Sequence, residues 1–193
     1  HEIDVCRWAL GVDFPTKVTS SGGRFHFKDD WETPDTQVIG WEYSGDKAIS
    51  WEGRSCNNFP VEKLSRGSLI YGTEGTALLD GNNYTVFDKK NKVVKELKSK
   101  DGQGDATNIL SATGIGLDQL HVENFVNAIR NGTMLNSPIE EGHKSVAMLH
   151  LGNISQRVGR TLSCDSSNGH IQNDAEAMKL WRRDYEKGWE PVV

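Results

Sequence analysis

Between Thr16 and Leu97 the sequence is a string of short extended runs separated by turns too brief to contain a helix. The runs cover residues 17–27, 36–43, 48–51, 68–71, 77–79, 84–87 and 93–97, and β-branched and aromatic residues recur in them. Asp80-Gly81-Asn82-Asn83 and Lys89-Lys90-Asn91 supply turn residues at two of the junctions. A parallel strand pair needs a crossover of about a dozen residues or more, whereas turns this short join antiparallel neighbours. The cadence therefore predicts hairpins and argues against βαβ units. Within residues 36–43, Gln37, Ile39, Trp41 and Tyr43 share one face, with Val38, Gly40 and Glu42 on the other.

The rest of the chain changes period. Residues 99–116 read as a loop between a strand-rich and a helical half. A helix is expected over 117–131, with Leu117, Leu120, Phe125 and Ile129 toward a core and Gly132 ending it. Ser137-Pro138-Ile139-Glu140 has the form of a capping box and launches a long helix to about Leu162. Asn173-Asp174-Ala175-Glu176 caps a last helix that ends at Gly188. The expected class is α+β: one domain over residues 1–193, with an open, mostly antiparallel sheet and helices packed on one face. The uncovered face would be open to a ligand or a second subunit, with Trp41 and Trp51 contributing.

Composition excludes several partners. A chain of 193 residues with 6 Trp, 6 Phe and 4 Tyr can bury a sizeable core, although its mean hydropathy is −0.58. A net charge of −5 and the lack of any basic stripe speak against nucleic acid and anionic membranes. Lys89-Lys90-Asn91-Lys92 reads as a solvated hairpin tip. Cys6, Cys56 and Cys164 are odd in number and far apart, so neither a disulfide framework nor a zinc site is expected. His143 and His150 stand too far apart on one helix to share a metal. His26 and His170 show no partner nearby in sequence. Gly114-x-Gly116 lacks a third glycine and a preceding strand, and Gly72-Thr73-Glu74-Gly75 places an acid where a phosphate would sit. Neither is a nucleotide-binding loop.

The chemistry that remains begins at the first residue. His1, Asp4, Val5 and Trp8 fall on one helical stripe, Ile3, Cys6, Ala9 and Leu10 on the next, and Gly11 occupies a helix C-terminal position. The residues alone leave two readings open. His1 caps the helix and Asp4 is a solvated first-turn acid, or an imidazole and a carboxylate one turn apart support proton transfer or polyol recognition.

The segment His1-Glu2-Ile3-Asp4-Val5-Cys6-Arg7-Trp8-Ala9-Leu10-Gly11 is followed by Thr33-Pro34-Asp35-Thr36-Gln37 and Trp51-Glu52-Gly53-Arg54-Ser55-Cys56. Tyr71-Gly72-Thr73-Glu74-Gly75-Thr76, His121-Val122-Glu123-Asn124-Phe125 and Asn173-Asp174-Ala175-Glu176-Ala177 come next. In this order they resemble the C-terminal domain of the glucose–fructose oxidoreductase / inositol dehydrogenase / MocA (Gfo/Idh/MocA) family, most like its bacterial branch. The resemblance implies that His1 moves a hydroxyl proton beside the nicotinamide ring and that Asp4 orients the imidazole or holds a neighbouring hydroxyl. It places Trp31 and Arg54 on the substrate side, for stacking on a sugar and for binding hydroxyls or a carboxylate. Their plainer alternatives are a surface packing residue and a surface ion pair. His121 is either a sugar contact or a hydrogen-bonding residue of the fold.

The family's catalytic Lys and its Rossmann half find no match in these residues. The implied protein is therefore a substrate-binding and oligomerisation domain, inactive and without cofactor by itself, from a parent using NAD or NADP on a sugar or polyol. The implied partners are that substrate and further copies of the chain, as a homodimer or larger. A free-standing carbohydrate-binding or scaffold module is the competing reading.

Overall fold

The computed structural model describes residues 1–81, 83–98 and 117–190, so the loop expected at 99–116 lies outside the described residues. The element order is α1 (Glu2–Leu10), β1 (Lys17–Gly23), β2 (Thr36–Tyr43), β3 (Lys47–Arg54), β4 (Ser68–Tyr71), β5 (Gly75–Asp80), β6 (Asn83–Asp88), β7 (Val93–Leu97), α2 (Leu117–Asn131), α3 (Ile139–Val158), β8 (Leu162–Cys164), β9 (Ile171–Gln172) and α4 (Ala175–Lys179). These form two compact units: His1 with Ile3–Asn58 and Gly142–Val193, and Glu2 with Phe59–Glu141. The class is α+β, as expected, but the strands divide between two open antiparallel sheets.

The first unit holds the five-stranded sheet, ordered β3-β2-β1-β8-β9. The period-2 pattern of β2 places Gln37, Ile39, Trp41 and Tyr43 inward, as the sequence predicts. Antiparallel pairing sets Val18 and Ile49 beside Trp41, and Trp51 beside Ile39. α3 meets this face with large apolar residues and, at its closest approach, a glycine. Ala147, Met148, Leu151, Gly152, Ile154 and Ser155 are buried, and a Cβ on Gly152 would lie 2.5 Å from Ile39 Cδ1. Trp41 Nε1 donates to the Met148 carbonyl at 3.0 Å and Tyr43 Oη approaches Met148 Sδ at 3.0 Å. Burial holds the Tyr43 hydroxyl well above the usual phenol range. Ile3, Cys6 and Leu10 of α1 complete the core with Leu162, Cys164, Ile171 and Ala177.

This geometry corrects one expectation. Trp41 has no exposed surface and Trp51 packs against the core, its ring covering Gly53. Both lie on the helix-covered face, so neither tryptophan can contribute to the open one. The open face carries Lys17, Thr19 and Ser21 of β1, Val38 and Glu42 of β2, and Ala48, Ser50 and Glu52 of β3.

Helix lengths also differ from expectation. α3 stops at Val158, not near Leu162, because Gly159 turns left-handed at φ 67° and Ser155 Oγ donates to the Arg160 carbonyl. Leu162 then pairs with Val18 as part of a strand absent from the expected set. α4 stops at Lys179 instead of continuing to Gly188; within the expected cap segment Asp174 is the capping residue, accepting from the Ala177 N–H. β1 ends at Gly23, before the expected Phe27.

In the second unit, β4-β5-β6-β7 is a four-stranded meander. Asp80 pairs with Asn83 between β5 and β6, and the Asp88 N–H donates to the Lys92 carbonyl between β6 and β7, so both predicted turn sites join hairpin strands; the Gly72 N–H donates to the Gly75 carbonyl between β4 and β5. α2 begins and ends where expected, with Gly132 left-handed beyond it. Its apolar stripe does not enter a core: Leu120, Phe125 and Ile129 are all exposed. Periodicity defines a stripe but says nothing of what covers it.

Candidate functional site

α1 positions the proton-transfer candidate. Ile3, Cys6 and Leu10 anchor one side of the helix in the core, and with Gly11 at φ 59° the Gly11 N–H donates to the Trp8 carbonyl and the Val12 N–H to the Arg7 carbonyl. His1 stands exposed at the N-cap, and its side chain makes no capping hydrogen bond. Its carbonyl accepts the Val5 N–H at 2.9 Å, so His1 occupies the capping position through its main chain.

Asp4 follows one turn on. Its carboxylate accepts from Ser145 Oγ of α3 and lies 3.9 Å from Arg7 Nη2, while 56% of its side chain stays exposed. Arg7 is a residue that sequence reasoning missed. It is 4% exposed in a stripe of apolar residues, donating from Nε to Ser145 Oγ at 2.9 Å and from Nη1 to the Val12 carbonyl at 3.2 Å. Asp13 and Lys144 extend this network at 3.5 and 2.8 Å. The only hint in the sequence is an arginine between Ile3 and Leu10 with Asp4 three residues before it. A buried guanidinium needs such partners, and the Ser145 hydroxyl that accepts from Arg7 also donates to the Asp4 carboxylate.

The β1–β2 connection carries the second group. Residues 24–35 leave the sheet where Gly23 pairs with Thr36. Asp35 is 3% exposed and gathers the Phe25, His26 and Phe27 N–H groups at 3.2, 3.0 and 3.0 Å and the Thr36 hydroxyl at 2.9 Å. Burial alone would raise its pKa, but the Phe27 and His26 N–H bonds, then Thr36 and Phe25, hold it well below the usual carboxylate range. Arg24 pairs with Asp29 and donates to the Thr33 carbonyl, and Asp29 accepts from the Trp31 N–H at 3.0 Å. On this frame Trp31 and Phe25 are 71% and 74% exposed. Arg54, at the end of β3, pairs with Glu52 at 3.0 Å, and the next residue donates its N–H to the Asp35 carbonyl at 2.8 Å. The structure thus brings Trp31 and Arg54 to the same sheet end through Asp35.

His121 belongs to the second unit, exposed in the second turn of α2. Three other histidines stack edge-on to aromatic rings: His26 to Phe27, His143 to Phe14 and His170 to Trp181. Among the described residues no cluster of His, Cys, Asp or Glu could hold a metal, and no helix is long and apolar enough to cross a membrane.

The sequence profile of an oxidoreductase family, described as its C-terminal alpha/beta domain, matches residues 67–191, well over half of the chain. The chain belongs to this family, Gfo/Idh/MocA. No curated protein matches the sequence. This Gfo/Idh/MocA C-terminal domain shares its fold with larger solved proteins. An oxidoreductase from Agrobacterium radiobacter, in complex with NAD+, L-tartaric acid and magnesium, is 15% identical with a TM-score of 0.58, over 83% of this chain and 46% of that one. The UDP-N-acetylglucosamine 3-dehydrogenase GnnA of Acidithiobacillus ferrooxidans is 15% identical with a TM-score of 0.57, over 82% and 45%. The WlbA dehydrogenase of Bordetella pertussis, in complex with NADH and UDP-GlcNAcA, is 15% identical with a TM-score of 0.50, over 86% and 43%. The chain spans less than half the length of each.

Proposed function

We propose that this domain is the substrate-binding and oligomerisation part of a nicotinamide-dependent sugar or polyol oxidoreductase, inactive when separated from a nucleotide-binding domain. The family match carries this reading. The described strands pair only antiparallel, unlike the parallel sheets whose switch points hold dinucleotides, and this supports placing the cofactor in another part of the enzyme. A bound NAD or NADP would supply the hydride acceptor for the carbon that bears the reacting hydroxyl.

The residues of this chain do the rest. His1 takes the hydroxyl proton as the carbonyl forms. Asp4, oriented by Ser145 and Arg7, accepts a hydrogen bond from a neighbouring hydroxyl. Trp31 covers one face of the sugar and Arg54 donates to its hydroxyls or carboxylate. Copies of the chain associate through the open sheet face, where Val38 is 49% exposed among hydroxyl and charged side chains.

The test is His1→Ala and Asp4→Asn in the full-length enzyme. A general base contributes about 10²–10⁴-fold to turnover, so His1→Ala lowers kcat by that order with little change in sugar binding. Asp4→Asn gives a smaller loss, about 1 kcal/mol of hydroxyl contact, seen in KM. Near-normal turnover of folded His1→Ala would overturn the assignment.

A further inference from the structure

The Asp35 carboxylate is full. Oδ1 accepts from the Phe25 N–H and the Thr36 hydroxyl, and Oδ2 from the His26 and Phe27 N–H groups. An ionised carboxyl has about four lone-pair sites, and all are taken inside the protein. Asp35 therefore has no capacity left for a ligand, and whatever it does, it does through the loop it holds. That loop is long for a link between adjacent antiparallel strands. It is also not anchored by burial of its aromatics, since Phe25 and Trp31 face solvent. Its order comes from polar contacts: three successive N–H groups converge on one anion, and the Arg24–Asp29 pair holds the Trp31 N–H. The Asp35 main chain also receives the Ser55 N–H, next to Arg54.

We infer that Asp35 is a positioning residue that sets Trp31 and Arg54 relative to one another, and so shapes the surface offered to a sugar ring. The inference rests on the reading of Trp31 and Arg54 as sugar contacts. Loss of the carboxylate frees the 25–27 backbone, widens the range of Trp31 positions and weakens sugar binding, while the chemical step and the cofactor site are unchanged.

The experiment uses the full-length enzyme with Asp35→Asn, Thr36→Val and Trp31→Ala, and glucose, myo-inositol and UDP-N-acetylglucosamine as probes. Asp35→Asn keeps the shape but turns an NH₂ donor toward N–H groups. Thr36→Val removes one bond of four and preserves the carboxylate, so it reads the same effect in a milder form. Hydrogen exchange at residues 25–27 rises about tenfold or more in Asp35→Asn and less in Thr36→Val. The sugar KM rises about tenfold in Asp35→Asn and Trp31→Ala, while kcat and the cofactor KM change less than about threefold. Unchanged exchange in Asp35→Asn overturns the inference. So does faster exchange with an unmoved sugar KM while Trp31→Ala raises it, and that outcome leaves the sugar-contact reading intact. If Trp31→Ala also leaves KM unmoved, or the wild type acts on none of the three probes, the sugar reading itself fails and takes the inference with it.

Discussion

Two glycines of α3 allow one substitution to be tested with opposite signs. Gly142 and Gly152 lie in the same helix, and neither has a positive φ. An added Cβ at Gly142 meets nothing within 4 Å. Gly142→Ala should therefore gain helix propensity alone, about 1 kcal/mol. At about 2–4 °C per kcal/mol for a chain of this size, the melting temperature rises by that amount. At Gly152 the same Cβ falls 2.5 Å from Ile39 Cδ1, 3.0 Å from Cγ2 and 3.3 Å from Cγ1. Ile39 is 3% exposed and packed within the core cluster, so moving it disturbs its neighbours. Overpacking of this kind costs about 1–3 kcal/mol, and a clash this close belongs to the upper part of that range. Set against the same propensity gain, Gly152→Ala should destabilise by about 1–2 kcal/mol.

Ile39→Val identifies the cause, because it deletes the Cδ1 atom responsible for the closest contact. Alone it costs about 0.5–1.5 kcal/mol. Combined with Gly152→Ala it should show a favourable coupling of about 1 kcal/mol, since the space lost by one residue accommodates the other. Urea midpoints for the four combinations, at constant m, measure all of these quantities. If Gly152→Ala stabilises as Gly142→Ala does, or the coupling is zero, the close approach of α3 to β2 is not what the geometry says.

Thiol labelling follows from burial: iodoacetamide should modify the exposed Cys56 first and the buried Cys164 last, because burial pushes the Cys164 thiol up to about 11. Peptide mass spectrometry reads the order, and early modification of Cys164 in folded protein would refute it. Asp174 is held at about 2 by the Arg160 guanidinium and then by the Ala177 N–H. Its folded value is depressed, so its contribution is complete above about pH 4 and is lost as pH falls toward 2. Asp174→Asn should lower the melting temperature at neutral pH and flatten that part of the acid limb; an identical pH profile would count against the pairing. Isothermal titration of the isolated chain with NAD⁺ and NADP⁺ should give no binding heat, and a micromolar Kd would place a nucleotide site on this domain. Sedimentation at tens of micromolar should give a dimer or larger, and substitution of Val38 by Lys should shift it toward monomer.

What the sequence made legible divides along physical lines. The inward set of β2 was readable because a half-buried strand alternates with a period of two, and eight residues hold several cycles of it. Gly11 and Gly132 were readable as helix ends because a left-handed residue is cheap only for glycine. β8 and β9 were not, since segments of three and two residues hold no period at all and exist only because β1 offers an edge. Arg7 was misleading for a related reason. A charged residue in a stripe reads as solvent-facing, and its burial depends on Ser145, 138 positions away. Asp35 could be quoted as part of a motif, but its partners are mostly backbone N–H groups, which every residue type shares. The candidate site shows the same division. Groups proposed to touch substrate, such as His1 and Trp31, have side chains whose chemistry is visible in the sequence. Groups that hold them act through tertiary partners or main chain, and carry no such mark. A scan guided by sequence alone would therefore find residues whose loss alters chemistry and pass over Ser145, Arg7 and Asp35, whose loss alters the geometry on which that chemistry depends.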